Sequence, residues 1–154
     1  TAGCVTVGDF DGDGHPDLFL GARVVPRAYG TTPRSALLRN DGRGRFTDVT
    51  DARAPGLAAA GMVTSAAWAD VDGDRRADLV VAGEWMPVRV YRQQPDGRFA
   101  DGTAAAGLAG SAGWWSRVVA ADVTGDGRPD LVLGNAGLNG HLRASAAQPA
   151  RLYV

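Results

Sequence analysis

Short apolar runs, each ended by turn-forming residues, recur along the chain. Leu18-Phe19-Leu20 stops at Gly21, and the run from Leu79 to Ala82 stops at Gly83. Runs of this length between turn signals predict buried β-strands rather than helices. The predicted strands cover residues 3–8, 17–25, 35–40, 45–50, 63–69, 77–82, 86–93, 98–101, 115–121 and 131–134, with a further strand beginning at 151–154.

Three polar loops separate pairs of these strands, and each places oxygen-bearing side chains at its positions 1, 3, 5 and 9. Including position 7, which would offer its backbone carbonyl, the predicted ligands are Asp9, Asp11, Asp13, His15 and Asp17; Asp70, Asp72, Asp74, Arg76 and Asp78; and Asp122, Thr124, Asp126, Arg128 and Asp130. Alternate carboxylates in a tight loop converge on one point, which suits a hard divalent cation. A single copy could be a solvated turn. Three copies with one spacing predict three calcium sites.

The loops differ from an EF-hand after position 9. An EF-hand needs a bidentate glutamate at position 12, where this chain has Leu20, Val81 and Leu133. Because these residues belong to predicted strands, a helix pair of the calmodulin or dockerin kind is disfavoured, and with it a calcium sensor. Magnesium is the alternative ion, but it prefers fewer protein ligands and stricter octahedral geometry.

The loops begin at residues 9, 70 and 122, so the chain repeats at intervals of 61 and 52 residues. A unit of that size with several short strands matches a propeller blade of four antiparallel strands. We therefore expect an all-β fold with about two and a half blades. One repeat region, 1–154, would contain units 1–61, 62–112 and an incomplete 113–154. A closed propeller takes about four to eight blades, so we expect further blades of a parent chain or self-association.

The loops and the segment from Leu38 to Thr50 (LRNDGRGRFTDVT) resemble the FG-GAP/VCBS repeat of integrin-α-like β-propellers. Residues 83–87 and 134–139 are similar to segments of bacterial members related to cartilage acidic protein. The resemblance implies calcium in each blade, secretion or surface display, and recognition rather than chemistry. Two departures stand out: Thr124 replaces an aspartate, which should weaken the third site, and Arg75 replaces a glycine at a position that often needs positive φ.

Charge and composition argue against nucleic acid as a partner and against a membrane helix. The formal net charge is −1, all 16 basic residues other than histidine are arginine, and Glu84 is the single glutamate among 17 acids. No basic run argues for nucleic acid, and no apolar segment is long enough for a membrane helix. The lone Cys4 allows no intrachain disulfide and is expected to point into a core.

The low calcium affinity expected of such sites indicates where the protein works. Dissociation constants of about 10⁻⁴–10⁻³ M require extracellular calcium levels, so the location is expected to be extracellular, cell-surface or periplasmic. We expect a non-catalytic scaffold that recognises a protein or glycan, with contact residues among Tyr29, Trp85, Trp114 and Trp115. The alternative is part of a secreted carbohydrate-active enzyme, a polysaccharide lyase or hydrolase, for which Glu84 is the best catalytic candidate.

Overall fold

The computed structural model of the chain describes residues 1–136, which are built almost entirely from antiparallel strands. The strands are β1 (Ala2–Gly8), β2 (Asp17–Ala22), β3 (Ala36–Asn40), β4 (Phe46–Asp48), β5 (Met62–Ala69), β6 (Asp78–Met86), β7 (Arg89–Gln93), β8 (Phe99–Asp101), β9 (Gly113–Ala121) and β10 (Asp130–Asn135). Helical structure in this part of the chain is limited to α1 (Thr50–Arg53) and one 3-10 turn (Leu57–Ala59). The predicted all-β fold is confirmed.

The first four strands form one sheet in chain order, β1-β2-β3-β4. In its antiparallel register Val5 lies opposite Leu20, and Leu18 lies opposite Leu38. Strands joined to their nearest neighbours in sequence make a meander, which is the plan of a propeller blade.

The second unit repeats this meander as β5-β6-β7-β8, and β9 pairs with β10 as the start of a third. One additional pairing joins the second and third units. The far end of the nine-residue β6 reaches β9, where Glu84 lies opposite Trp114 and Met86 opposite Gly113. This junction depends on the length of β6, which the apolar run 79–82 did not reveal.

The first strands of the three units lie side by side, since β5 contacts both β1 and β9. The Thr64 hydroxyl donates to the carbonyl of Trp115 at 2.7 Å, and the amide of Val118 donates to Ser65 Oγ at 3.2 Å. Neighbouring first strands with outward-running sheets are the arrangement of propeller blades.

Two apolar cores fill the spaces within and between the units. The larger core includes Phe10, Phe19, Leu37, Leu57, Val63, Leu79, Tyr91 and Phe99, and the smaller one includes Val80, Ala82, Val88, Val90 and Val118. Cys4 packs against the larger core as predicted, and burial raises the pKa of its thiol.

Several predicted boundaries are wrong. The second strand ends at Ala22 rather than at residue 25, and β6 continues through Met86, where the next strand was expected to begin. Pro87 has no amide hydrogen for a strand ladder, so the turn falls there and β7 starts at Arg89.

The connection between the strands predicted at 45–50 and 63–69 contains α1 and the 3-10 turn. The fourth strand stops early because Thr50 donates from both its amide (2.9 Å) and its hydroxyl (2.5 Å) to Asp48 Oδ1. The strand predicted at 151–154 lies outside the described residues.

Candidate metal sites

The first acidic loop, between β1 and β2, is wound around the side chain of Asp9. Asp9 Oδ1 accepts from the amides of Gly12 (2.8 Å) and Asp13 (3.1 Å), and Oδ2 accepts from the amide of Gly14 (2.8 Å). Gly12 and Gly14 have φ of 74° and 83°, a region that glycine enters without steric cost. Hydrogen bonds within the loop therefore account for its compact shape.

The last aspartate of this loop fixes it to the sheet. Asp17 is 0% exposed. Its Oδ2 accepts from the amide of Phe10 (3.1 Å), and its Oδ1 accepts from the amide of Asn40 on β3 (2.8 Å). Burial raises the pKa of Asp17 against the opposing effect of these amides, because removal from water disfavours the charged carboxylate.

The second loop, between β5 and β6, repeats the same bonds one for one. Asp70 accepts from the amides of Gly73 (2.7 Å), Asp74 (3.0 Å) and Arg75 (2.7 Å). Burial acts to raise the pKa of Asp70, but the backbone amides outweigh it and the pKa is lowered. Arg75 stands where the first loop has Gly14 and adopts φ of 69°, so the predicted conformation is confirmed at that position.

Asp78 takes the place of Asp17 in the second loop. It is 0% exposed and accepts from the amides of Val71 (3.0 Å) and Gln93 (2.8 Å). Burial raises the pKa of Asp78 as well. Two loops 61 residues apart in sequence thus share the bonds that position their first and last aspartates.

Each of these loops brings three carboxylates together. Ligand atoms of Asp9, Asp11 and Asp17 lie within 4.8 Å of one another, and so do those of Asp70, Asp72 and Asp78. Asp11 Oδ1 is buried without a hydrogen-bond partner, which leaves a charged oxygen free for another ligand. An all-oxygen donor set with such a free atom fits a hard cation such as calcium.

The remaining predicted ligands of these two loops make other contacts. Asp13 accepts from the amide of His15 (2.9 Å), and this bond, with further contacts to His15 and Arg39, lowers the pKa of Asp13. Asp74 accepts from the amide of Arg76 (2.9 Å) and also pairs with its guanidinium. Ligation by Asp13, Asp74 and the carbonyls of His15 and Arg76 stays a prediction.

The third loop has the same turn but a different centre. Asp122 accepts from the amides of Gly125 (2.6 Å), Asp126 (3.2 Å) and Gly127 (2.8 Å), which lowers its pKa. Thr124, however, donates to Asp130 Oδ2 from its hydroxyl and its amide, both at 3.1 Å. Within residues 1–136, groups of three acids close enough to share an ion occur in the first two loops, and the ligand roles predicted for the third, including Arg128, stay predictions.

An arginine from the third strand of each complete unit also contacts the loop of that unit. Arg39 on β3 donates from Nε to Asp11 Oδ2 (2.5 Å) and from Nη2 to Asp13 Oδ2 (2.9 Å). Arg92 on β7 donates from Nε to Asp72 Oδ2 (2.6 Å), and its Nη2 contacts the same oxygen. Sequence reasoning missed both arginines, although the matched segments Leu38-Arg39-Asn40 and Tyr91-Arg92-Gln93 carry the signal.

The predicted aromatic contact residues lie at the other end of the strands. Trp85 Nε1 donates to the hydroxyl of Tyr29 at 3.1 Å, and the rings of Trp85 and Trp114 are 5.4 Å apart. Tyr29 is 46% exposed and Trp114 is 38% exposed. Trp115 instead packs against the smaller core and donates from Nε1 to the carbonyl of Ser111 at 2.8 Å.

Glu84, the catalytic candidate, is buried between the first two units at 2% exposed. Its Oε1 accepts from Arg23 Nε (3.0 Å) and Nη2 (2.5 Å), and its Oε2 accepts from the hydroxyl of Tyr29 (2.8 Å). Both oxygens of this carboxylate are thus used to join the second unit to residues of the first.

The fold and the loops together define a class: repeated four-stranded units of the β-propeller kind, with acidic loops between their first and second strands. Residues 9–81 and 70–133 each match the FG-GAP-like repeat, and the chain belongs to this family. No curated protein matches the chain.

Neither short helix in the described part of the chain is long and apolar enough to cross a membrane.

Proposed function

We propose that the chain is a calcium-stabilised, non-catalytic scaffold that works outside the cytosol and recognises a protein or glycan. The observation that carries the calcium proposal is the repeated convergence of three carboxylates in the first and second loops. The unpartnered, buried Asp11 Oδ1 supports it. Bound calcium would neutralise acids that otherwise repel one another in the folded loop.

The proposed ions act on stability. A site filled at about 100 times its dissociation constant stabilises the fold by about 2.7 kcal/mol, so two sites would contribute about 5 kcal/mol. That is comparable to the lower end of the stability of an ordinary domain, about 5–15 kcal/mol. The third loop is proposed to bind more weakly, because Thr124 adds no charge and its hydroxyl already donates to Asp130.

The test is calcium binding measured by titration calorimetry, together with thermal unfolding in calcium and in chelator. Asp11→Asn should remove or weaken one site. Asp41→Asn is the control, since it removes the charge of an aspartate in a turn outside the loops, where Asp41 accepts from the amides of Arg43 (2.8 Å) and Arg45 (3.1 Å). Equal melting temperatures in calcium and chelator, with no heat of binding, would refute the proposal, and tighter binding of magnesium would replace calcium as the ion.

Recognition is proposed to use the end of the strands where Tyr29, Trp85 and Trp114 cluster. Aromatic side chains supply large contact area at binding surfaces, and two of the three are more than one-third exposed. A glycan array and a pull-down with the wild-type chain, compared with Trp114→Ala, would test this. Unchanged binding of every captured ligand by the variant would exclude this surface.

The non-catalytic proposal rests on the state of Glu84. A general acid or base must reach the substrate, whereas this carboxylate is 2% exposed and bonded to Arg23 and Tyr29. Turnover of any polysaccharide that is lost in Glu84→Gln while calcium binding persists would favour the lyase or hydrolase alternative.

The outer faces of the first and third units are proposed to pack against further blades or another copy of the chain. Val5 and Val7 on β1 are 55% and 60% exposed, and Val119 and Val132 on β9 and β10 are 45% and 50% exposed. Apolar strand faces of this kind favour association. A monomer at all concentrations in sedimentation equilibrium would exclude self-association.

The relation to cartilage acidic protein also stays a proposal, carried by residues 83–87 and 134–139.

A further inference from the structure

Arg39 and Arg92 occupy the same place in their units and contact the same kind of group. Leu38 and Tyr91, the residues before them, pair with Leu18 and Leu79 at the start of the second strands. This common register carries each guanidinium to the aspartate at loop position 3.

From this repeated contact we propose that Arg39 and Arg92 are resident counter-cations, which stabilise the ion-free loops and thereby weaken calcium binding. The inference rests on the proposed function, because it concerns the affinity of the same loops. Four aspartates in a loop repel one another, and one guanidinium within hydrogen-bond distance of Asp11 and Asp13 offsets part of that repulsion.

The arginine lowers the affinity for calcium whether its guanidinium stays at the loop or leaves when the ion binds. If the guanidinium stays on Asp11 Oδ2, a positive charge remains beside the entering cation and repels it. If the guanidinium leaves, binding must first break the two bonds of 2.5 Å and 2.9 Å. In both cases the arginine favours the ion-free state over the calcium-bound state.

The effect of each arginine on calcium affinity is expected to be moderate, because its charge is partly exposed to water. The side chains of Arg39 and Arg92 are 44% and 39% exposed, so water screens much of their interaction. We therefore expect a change of about fivefold in the calcium dissociation constant per loop, the size of one guanidinium–carboxylate interaction at about 4 Å in water.

The variants are Arg39→Gln and Arg92→Gln, compared with Arg39→Lys and Arg34→Gln. Arg39→Lys keeps the charge, and Arg34→Gln removes a somewhat more exposed arginine (50%) that pairs with Asp48 and Asp51, away from the loops. Each glutamine loop variant should bind calcium about fivefold more tightly at one site and melt at a lower temperature in chelator. Arg39→Lys and Arg34→Gln should keep the calcium affinity of the wild-type chain.

Salt provides a second readout that a purely structural role would not give. The Debye length falls from about 10 Å at 0.1 M to about 3 Å at 1 M ionic strength, so the difference in affinity between wild type and Arg39→Gln should shrink. If Arg39→Gln does not fold in chelator, Arg92→Gln supplies the comparison at the other loop.

Different outcomes would overturn the proposed calcium binding and the proposed role of the arginines. A wild-type chain without any calcium binding would overturn the proposed function and the inference together. Wild-type binding with unchanged or weaker affinity in both glutamine loop variants would overturn the inference alone, and weaker affinity would show that the arginines position the aspartates instead.

Discussion

Replacing Phe10 by alanine should destabilise the chain far more than the same truncation at the corresponding residue of the third loop. Phe10 is the second residue of the first loop and is 2% exposed. Its ring is 6.2 Å from that of Trp68 and 6.0 Å from that of Phe99, in a stacked and an edge-on arrangement. Its side chain therefore joins the loop of one unit to the strands of the next.

The expected cost follows from burial and ring contacts. A buried phenylalanine cut to alanine costs about 3–5 kcal/mol. Since aromatic pairs contribute about 0.5–1.5 kcal/mol beyond area and Phe10 has two such partners, we expect a cost of about 4–5 kcal/mol. Val123 holds the same loop position in the third unit but is 65% exposed. Val123→Ala should cost at most about 0.5 kcal/mol.

The assay is urea unfolding in saturating calcium, followed by tryptophan fluorescence and circular dichroism. The midpoint should fall strongly for Phe10→Ala and change little for Val123→Ala, with similar slopes for both. A cost below about 1 kcal/mol for Phe10→Ala, or equal costs for the two variants, would refute the packing of the first loop against the second unit.

Three further changes test separate features. Arg75→Gly should raise the free energy of unfolding in urea by up to about 1 kcal/mol, because it relieves a side chain held at φ of 69°; a loss of stability would contradict this. Glu84→Gln should lower it by about 1.5–3 kcal/mol through weaker bonds to Arg23, and no change would refute the anchoring role. Hydrogen bonds from Thr50 lower the pKa of Asp48. Asp48 therefore stabilises the fold above the unfolded pKa of about 3.9, and this stabilisation is lost as pH falls through the folded pKa. The melting temperatures of wild type and Asp48→Asn, measured from pH 7 to 2, should converge at the acid end, and a constant difference between them would contradict this role of Asp48.

Local features of the fold could be predicted from the sequence because their causes are local. The aspartate spacing, the glycines and the following apolar runs lie within about 13 consecutive residues, and strands do follow the loops at Asp17, Asp78 and Asp130. The exceptional conformation of Arg75 was predictable for the same reason, since the other two loops have Gly14 and Gly127 there, with φ of 83° in both.

The missed features depend on residues distant in sequence. Arg39 lies 28 residues from Asp11, and Arg23 lies 61 residues from Glu84. A repeating pattern in the sequence does not indicate such a contact, because the contact forms only when strands pair and units pack. Glu84 was predicted as a candidate for catalysis because a lone glutamate beside a tryptophan is conspicuous, whereas its burial between units depends on the tertiary packing.

A continuous series of hydrogen bonds also connects the two carboxylate groups. The amide of Phe10 donates to Asp17, the side-chain amide of Gln93 donates to the carbonyl of Phe10, and the backbone amide of Gln93 donates to Asp78. We expect an ion that orders one loop to order the other through these bonds, so that filling one loop favours filling the other by about fivefold, the lower end of typical coupling between sites. Phe10→Ala retains these backbone groups, so coupling should survive in that variant despite its lower stability.

Gln93→Ala removes the side chain that bridges the units, so its two sites should bind calcium independently. Gln94→Ala is the control, because the Gln94 side chain donates within its own unit, to the carbonyl of Arg92 at 3.1 Å. Calorimetric titration of both variants distinguishes the cases through the steepness of binding. If wild type and Gln93→Ala bind with the same steepness, the hydrogen bonds join the loops mechanically without coupling their affinities, since contiguity alone does not establish energetic coupling.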